Sequence, residues 1–239
     1  MENTPTDRST MMPARIVPAG DSAWLIELPD RIDVAVNERA IQIAAAVHAA
    51  GLPVSDVVVG YRSVMVYVDP LAGAASRVPG RLQEIASSRS AGAGPLGASV
   101  TVPVCYDGVY GPDLGDVAAF ANCPIDDVIA LHLGLEYRVF VVGFMPGFAY
   151  MASVDPRIAA PRRASPRLKV PAGSVAVAAG QTGVYPSETP GGWSLIGRCP
   201  VRPYDPGRAH PFLFHPGDRV RFTRISEAAY RATSEWGDF

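Results

Sequence analysis

The sequence has few cysteines, little net charge and no recognisable membrane span, and each shortage excludes a class of protein. Cys105, Cys123 and Cys199 stand far apart with no C-x-x-C pair, so neither a disulfide framework nor a zinc site is indicated. The formal net charge of −2 offers no basic surface for nucleic acid or anionic lipid. The apolar run at 139–154 contains Gly and Pro and is shorter than the roughly 20 residues of a membrane-spanning helix. We therefore expect a soluble, cytoplasmic protein that binds neither nucleic acid nor a membrane.

Several catalytic signatures are also absent. There is no H-E-x-x-H zinc motif, no phosphate-binding G-x-x-x-x-G-K-[ST] loop and no G-x-S-x-G nucleophile turn. The glycines at 92–97 match the dinucleotide fingerprint by letter, but a helical pattern precedes them and a strand pattern follows, the wrong order for that fold. His210 and His215 are close in sequence without a familiar ligand spacing. The sequence therefore predicts no metal site.

What is present is the composition of a globular protein and one clear break in the chain. The 239 residues are 48% hydrophobic and 18% charged, enough for one large domain or two modest ones. Residues 1–13 lack the apolar core of a signal peptide and are predicted to be a flexible tail. The Gly- and Ser-rich segment 89–98 is the predicted linker. It would separate a domain at 14–88 from one at 99–239.

The N-terminal domain is predicted to be a small α+β sandwich. Short strand patterns at 14–28 form a hairpin about a Gly-Asp turn, and two more strands are predicted at 55–70. Between them, residues 33–51 place apolar side chains at helical spacing, and a second helix is predicted at 74–88. Strands with two helices on one face make a layered α+β domain.

The C-terminal domain is predicted to be a β-barrel or sandwich. Two short helices are predicted over 110–134, followed by a strand at 136–144. From residue 167, short strands alternate with Gly and Pro turns, including the segments PFLF at 211–214 and DRVRFTRI at 218–225. Many short strands at regular spacing are typical of closed or double-layered β structures.

One basic segment and one histidine have both a structural and a functional interpretation. Arg162, Arg163, Arg167 and Lys169 lie on a proline-bracketed segment. They either solvate an exposed edge or bind a carboxylate or phosphate through paired N–H donors. His132 ends a short apolar helix, where it is either a partly buried residue favoured by the helix terminus or a proton carrier facing a cleft. Spacing alone does not decide either case.

Glycine-flanked polar and aromatic residues favour a cleft in the second domain. The amide of Gln181 and the hydroxyl of Thr182 lie between Gly180 and Gly183. Glycine leaves the neighbouring backbone N–H groups accessible, and such donors together can bind an anionic oxygen. The segment GFMPGFAYM adds Phe144 and Phe148, which cap the core or line a pocket. Trp193 and the strand-end Arg198 follow in ETPGGWSLIGR. The alternative is an ordinary set of hairpin turns.

Long segments of this domain resemble one protein family. GFMPGFAYM, PRRASPRLKVPAGSVAVAAGQTGVYPSETPGGWSLIGRCP and the earlier YGPDLGDVA are similar to the KipI family. Its members are also called B-type subunits of 5-oxoprolinase or allophanate hydrolase subunit 1, the carboxyltransferase domain with subdomains C and D. The resemblance implies a small N-terminal domain followed by a cyclophilin-like β-barrel. FAYM and AAGQTG depart mildly from the family's Phe-Pro-Tyr-Leu and Gly-Gly-Gln-Thr-Gly patterns and leave the polar residues intact.

The resemblance also implies a site, a reaction and partners. The family's polar cleft pattern falls on a set that we take as candidate catalytic and binding residues: Arg163, Arg167, Gln181, Thr182, Tyr185 and Arg198, with His132 and Trp193 nearby. The implied function is that of a subunit, inactive alone, of an ATP-dependent 5-oxoprolinase that opens a small cyclic amide to glutamate. ATP, with Mg²⁺, would bind this chain or the complex. The implied partners are a KipA or allophanate hydrolase subunit 2-type protein and a third subunit.

Two other functions stay open on the sequence. One is subunit 1 of an allophanate hydrolase or urea carboxylase-type amide-processing system. The other is a regulatory protein of the KipI kind that inhibits a histidine kinase through its barrel surface. None of the quoted motifs distinguishes these branches.

Overall fold

The computed structural model describes residues 14–31, 33–72, 75–88 and 97–234, which form two compact units divided between Leu96 and Gly97. The division falls inside the predicted linker at 89–98. Most of that linker, with its glycine fingerprint match, and the predicted tail at 1–13 lie outside the described residues.

The N-terminal unit has the predicted strand and helix order. Its strands β1 (Arg15–Pro18), β2 (Ala23–Glu27), β3 (Val54–Val59) and β4 (Ser63–Val68) form an antiparallel sheet in the order β1-β2-β4-β3, and its helices are α1 (Val34–Ala49) and α2 (Val78–Ser87). Asp33 caps α1 by accepting a hydrogen bond of 2.8 Å from the N–H of Val36. The apolar face of α1 and the sheet share one core, as the spacing predicted; its α1 members are Val36, Ala40, Ile43, Ala44 and Val47.

The C-terminal unit is a closed barrel with helices. Its strands and helices in chain order are β5 (Ser99–Cys105), α3 (Leu114–Ala121), α4 (Ile125–Leu133), β6 (Tyr137–Val142), β7 (Ala149–Ala152), β8 (Arg167–Val170), β9 (Ser174–Ala178), β10 (Gln181–Val184), β11 (Thr189–Gly191), β12 (Ser194–Arg198), β13 (Arg219–Ile225) and α5 (Glu227–Thr233). Seven strands close in the order β10-β7-β6-β13-β5-β12-β9, while β8 and β11 pair separately. The mixed α and β class is confirmed, and of the two β architectures the chain adopts the barrel. The finer comparison with cyclophilin stays a prediction.

Alternation along the barrel strands builds two apolar clusters, one inside and one outside. Val175 and Val177 of β9 belong to the large interior core, whereas Ala176 and Ala178 belong to a second cluster on the outer face. Ile196 and Leu195 of β12 divide in the same way. Successive side chains of a strand point to opposite faces, so a fully buried strand contributes to both clusters.

Some sequence predictions differ from the structure in detail. The segment at 211–214 is not a strand and makes only one isolated bridge, between Tyr204 and Phe212. Prolines at 203 and 211 border that bridge, and proline has no N–H to donate to a ladder. The sequence analysis predicted neither strand β7 nor helix α5. Among the described residues, no helix has the length and apolar character needed to cross a bilayer.

Candidate functional site

Strand β10 sends its polar residues to opposite sides of the barrel wall. The Thr182 side chain points inward, and Val184 belongs to the interior core. Gly183 lies against the outer aromatic rings, since a Cβ at this position would be 3.2 Å from Phe148 and 3.6 Å from Trp193. Tyr185 continues this outer row. By the two-residue period of a strand, Gln181, Gly183 and Tyr185 therefore share the outer face.

The turn that precedes β10 accounts for Gly180. Ala179 and Gly180 have φ values of +48° and +85° and join β9 to β10 as a two-residue hairpin loop. Positive φ at both central residues is the type I′ turn, which favours glycine. The Gly180 carbonyl accepts a hydrogen bond of 3.0 Å from the N–H of Val154. Gly180 thus sets the direction in which Gln181 leaves the turn.

Four predicted residues and Tyr150 meet on the outer face, in what we call the outer aromatic cluster: Phe144, Phe148, Tyr150, Tyr185 and Trp193. Phe148 is central, with ring centroids 5.2 Å from Tyr185, 5.5 Å from Trp193 and 4.9 Å from Tyr150, all edge to face. Phe144 contacts Phe148 at 5.7 Å and is 65% exposed. Its φ of +73° is unusual for a bulky residue. The cluster is a packed aromatic wall with one ring exposed at its rim.

The hydroxyl of Tyr185 is closely surrounded. A Cβ added to Gly191 would lie 2.6 Å from the Tyr185 hydroxyl oxygen, so a glycine at 191 makes room for it. Burial raises the pKa of Tyr185 to about 12, against an opposing effect of the Arg162 charge. The phenol is therefore neutral near pH 7 and can donate a hydrogen bond.

Arg163 and Arg167 are brought together by a residue that the sequence patterns did not identify as their partner. Asp113, at the start of α3, is 2% exposed. Its carboxylate accepts hydrogen bonds from Arg167 Nη1 at 2.8 Å and Nη2 at 2.6 Å, and from Arg163 Nη1 at 3.1 Å. It also accepts one of 2.7 Å from the N–H of Leu195 on β12. Asp113 thus attaches the arginine segment to the barrel wall.

His132 and Thr182 lie in the barrel interior instead. The Tyr106 hydroxyl is 2.8 Å from His132 Nδ1, and His132 Nε2 is 2.9 Å from Thr182 Oγ1. Because Thr182 Oγ1 also donates to the Ala176 carbonyl at 3.0 Å, His132 Nε2 is the donor to Thr182 and Nδ1 accepts from Tyr106. Burial lowers the pKa of His132 to about 3. A neutral, fully paired imidazole supports the structural interpretation of this residue.

Arg198 is not a member of the outer aromatic cluster. Its Nε donates to the Ala172 carbonyl at 2.9 Å, and burial lowers its pKa. Its charge acts on Tyr110 and Tyr230, which form a separate small cluster with Cys105. The candidate residues therefore fall into four places in the fold. These are the outer face of the barrel, the arginine pair bound to Asp113, the interior hydrogen-bond network of His132 and Thr182, and the position of Arg198. Among the described residues no group of three or more His, Cys, Asp or Glu could hold a metal ion.

Comparison with known proteins identifies relatives along most of the chain. A family model described as carboxyltransferase domain, subdomain C and D, matches residues 14–214. The B-type subunit of 5-oxoprolinase from Bacillus subtilis (strain 168) is 38% identical over 90% of this chain and 95% of its own length. The crystal structure of TTHA0988 is 38% identical with a TM-score of 0.76, over 85% of this chain and 40% of that protein. Kluyveromyces lactis urea amidolyase has a TM-score of 0.74 at 18% identity, over 95% of this chain and 16% of that protein.

These comparisons agree with each other and with the KipI-type motifs of the sequence. The family model and the Bacillus subtilis relative each extend through both units of the chain, and the likeness to urea amidolyase, below 25% identity, shows the fold alone. The chain therefore belongs to the family of the carboxyltransferase domain, subdomains C and D, as its resemblance to KipI proteins predicted.

Proposed function

We propose that this chain is the B-type subunit of an ATP-dependent 5-oxoprolinase, which opens the lactam of 5-oxo-L-proline to L-glutamate, and that it is inactive alone. The observation that carries the proposal is the 38% identity to the Bacillus subtilis B-type subunit along 90% of this chain. Urea amidolyase shares the fold at 18% identity, which supports no transfer of its activity. No feature of the described residues favours inhibition of a kinase.

We place the lactam on the outer face of the barrel. A cyclic amide has an apolar ring, one N–H donor and one carbonyl acceptor. The outer aromatic cluster supplies an apolar wall, and the Gln181 amide on the same face carries both a donor and an acceptor. The neutral Tyr185 hydroxyl adds a donor at the end of this row. The interior polar groups around His132 are occupied with one another and lie behind the sheet.

The described residues fit ATP less well than they fit a lactam. The sequence has no phosphate-binding G-x-x-x-x-G-K-[ST] loop. Arg163 and Arg167, the cations expected to face a phosphoryl group, direct N–H donors to Asp113 instead. We therefore assign ATP and Mg²⁺ to a partner protein or to its junction with this chain.

Partner subunits are part of the proposal. The chain spans 40% of TTHA0988 and 16% of urea amidolyase, so this pair of units occurs inside larger proteins. The name of the Bacillus subtilis relative is that of one subunit among others. We propose a KipA or allophanate hydrolase subunit 2-type protein and a third 5-oxoprolinase subunit as the partners. A cytoplasmic location agrees with Cys105, Cys123 and Cys199 all being free thiols.

The test is glutamate release from 5-oxo-L-proline and ATP by this chain mixed with its partner subunits. We expect turnover that disappears when this chain is omitted. An equal rate without the chain, or no turnover from a complex shown to be assembled, would contradict the proposal.

A pair of matched variants tests the position of the lactam. Gln181→Ala should lower kcat/KM by about 10- to 100-fold, because the hydrogen bonds from the Gln181 side-chain amide to the lactam are lost. The same change at the exposed Gln83 of α2 should leave turnover within about twofold. Equal rates for the two variants would move the lactam away from the outer face.

A further inference from the structure

The basic segment at 162–169 contains four cations, and three of them have anionic partners. Arg163 and Arg167 bind Asp113, and Lys169 Nζ lies 3.2 Å from a carboxylate oxygen of Glu188. Arg162 is exposed, and its guanidinium makes no hydrogen bond or ion pair with the part of the chain that the structure describes. Within the part of the chain that the structure describes, Arg162 is therefore the cation of this segment that has no anionic partner.

The backbone places Arg162 at the rim of the outer aromatic cluster. The next residue, Arg163, donates its N–H to the Gly192 carbonyl at 2.8 Å. The neighbouring Gly191 lies directly against the Tyr185 hydroxyl. The segment that carries Arg162 therefore runs along the edge where this hydroxyl is located. The Arg162 charge also acts on Tyr185 by lowering its pKa, although burial has the larger and opposite effect.

We propose that Arg162 and the Tyr185 hydroxyl form a carboxylate subsite on the outer face of the barrel. The inference rests on the proposed function, whose substrate carries one carboxylate beside the lactam nitrogen. An exposed guanidinium supplies paired N–H donors and one positive charge, and the phenol of Tyr185, whose ring is buried in the barrel wall, adds a neutral donor beneath it. One cation matches a monoanion, whereas a triphosphate would leave most of its charge unbalanced. The arginines that would help to balance it are bound to Asp113.

The experiment varies the charge on both the protein and the substrate. The assembled complex is assayed with 5-oxo-L-proline and with its neutral carboxamide, using wild type, Arg162→Gln, Arg162→Lys and the control Lys169→Gln. Arg162→Gln should raise the KM for the carboxylate substrate by about 10- to 100-fold and change that for the carboxamide by less than about twofold. Arg162→Lys keeps the charge without the fork of donors and should fall between. Lys169→Gln removes a charge of the same sign from strand β8 and should leave both KM values within about twofold.

The outcomes separate this inference from the proposed function. If wild type turns over 5-oxo-L-proline but Arg162→Gln changes both substrates equally, or neither, the subsite is wrong while the function stands. If the wild-type complex releases no glutamate, the function is wrong, and calorimetric titration of the two compounds into the full chain decides the subsite. Binding of the carboxylate compound that Arg162→Gln abolishes would support the subsite. Equal affinity for both compounds, or binding of neither, would overturn it.

Discussion

The two faces of strands β9, β10 and β12 differ in how their polar groups are used. Inside the barrel, Tyr106, His132, Thr182 and the Ala176 carbonyl form one chain of hydrogen bonds. Outside, Gln181 lies on the same face as an aromatic cluster in which Tyr185, Phe148 and Trp193 are buried and Phe144 is largely exposed. Adjacent residues of one strand thus belong to a closed interior network and to an outer aromatic cluster that is exposed only at its rim.

The difference follows from access to water. An enclosed polar group without a partner costs free energy, so interior groups must satisfy one another. A group on an outer face can exchange water for a ligand. Polar residues inside this barrel should therefore affect folding, and those outside should affect binding. Four predictions test that rule.

Asp113 is an exception to this rule. It binds the partly exposed Arg163 and Arg167, but it is itself buried and should therefore affect folding. Asp113→Ala removes the acceptor of Arg167 and of the Leu195 N–H, and it leaves Arg163 with Asp116 alone. We expect a loss of about 3 kcal/mol in the free energy of unfolding, since both guanidinium groups are partly exposed and can be hydrated. The measurement is urea unfolding followed by circular dichroism.

Asp116 is the matched control for this prediction. It pairs with Arg163 at 3.2 Å, but its side chain is 71% exposed. Asp116→Ala should change the free energy of unfolding by less than about 1 kcal/mol. Similar losses for the two variants would show that burial of Asp113 is not what matters.

His132 should make the interior sensitive to acid. In the unfolded chain the pKa of a histidine is 6.5, whereas burial lowers that of His132 in the folded chain to about 3. Between these values the unfolded state binds more protons, so stability falls as the pH is lowered, by up to about 1.4 kcal/mol per pH unit. Urea unfolding from about pH 7 to pH 4 should show this slope in wild type and not in His132→Gln. His48→Gln, on the exposed end of α1, should keep it.

Gly183 tests how closely the outer rings pack on β10. A Cβ at this position would be 2.8 Å from the Ala149 carbonyl oxygen and 3.2 Å from the Phe148 ring. Gly183→Ala should therefore destabilise the protein by about 1–3 kcal/mol through overpacking. Gly115 in α3 has no atom within 4 Å of its added Cβ, so Gly115→Ala should be neutral or stabilising. Equal thermal midpoints for the two variants would contradict this description of the outer face.

Tyr185→Phe should have the smallest effect on folding and a clear effect on binding. The ring keeps its contacts with Phe148, and removal of the hydroxyl should cost roughly 1 kcal/mol of stability. The KM for 5-oxo-L-proline should rise about tenfold if this hydroxyl contacts the substrate. Tyr67→Phe on β4 is the control, with an exposed ring and no expected change in KM. An unchanged KM for Tyr185→Phe would separate this face from substrate binding.

Local patterns predicted the elements better than the site. The helical spacing of Val36, Ile43 and Val47 predicted the buried face of α1 correctly. The glycine-flanked pattern predicts Gln181 and Thr182 as donors on one turn, but they belong to a strand whose period of two sends them to opposite faces. Applying that period to the sequence would have separated them.

The sequence by itself determined the types of most elements, the division into two units and the family, because each depends on short-range spacing or on residue identity. Only the tertiary structure decided that His132 is enclosed, that Asp113 holds Arg163 and Arg167, and that Arg162 has no anionic partner within the described ranges. Asp113 and its arginines are about 50 residues apart and meet only because the barrel closes around them. The pairing of these charges depends on the closed barrel, so no local sequence pattern predicts it.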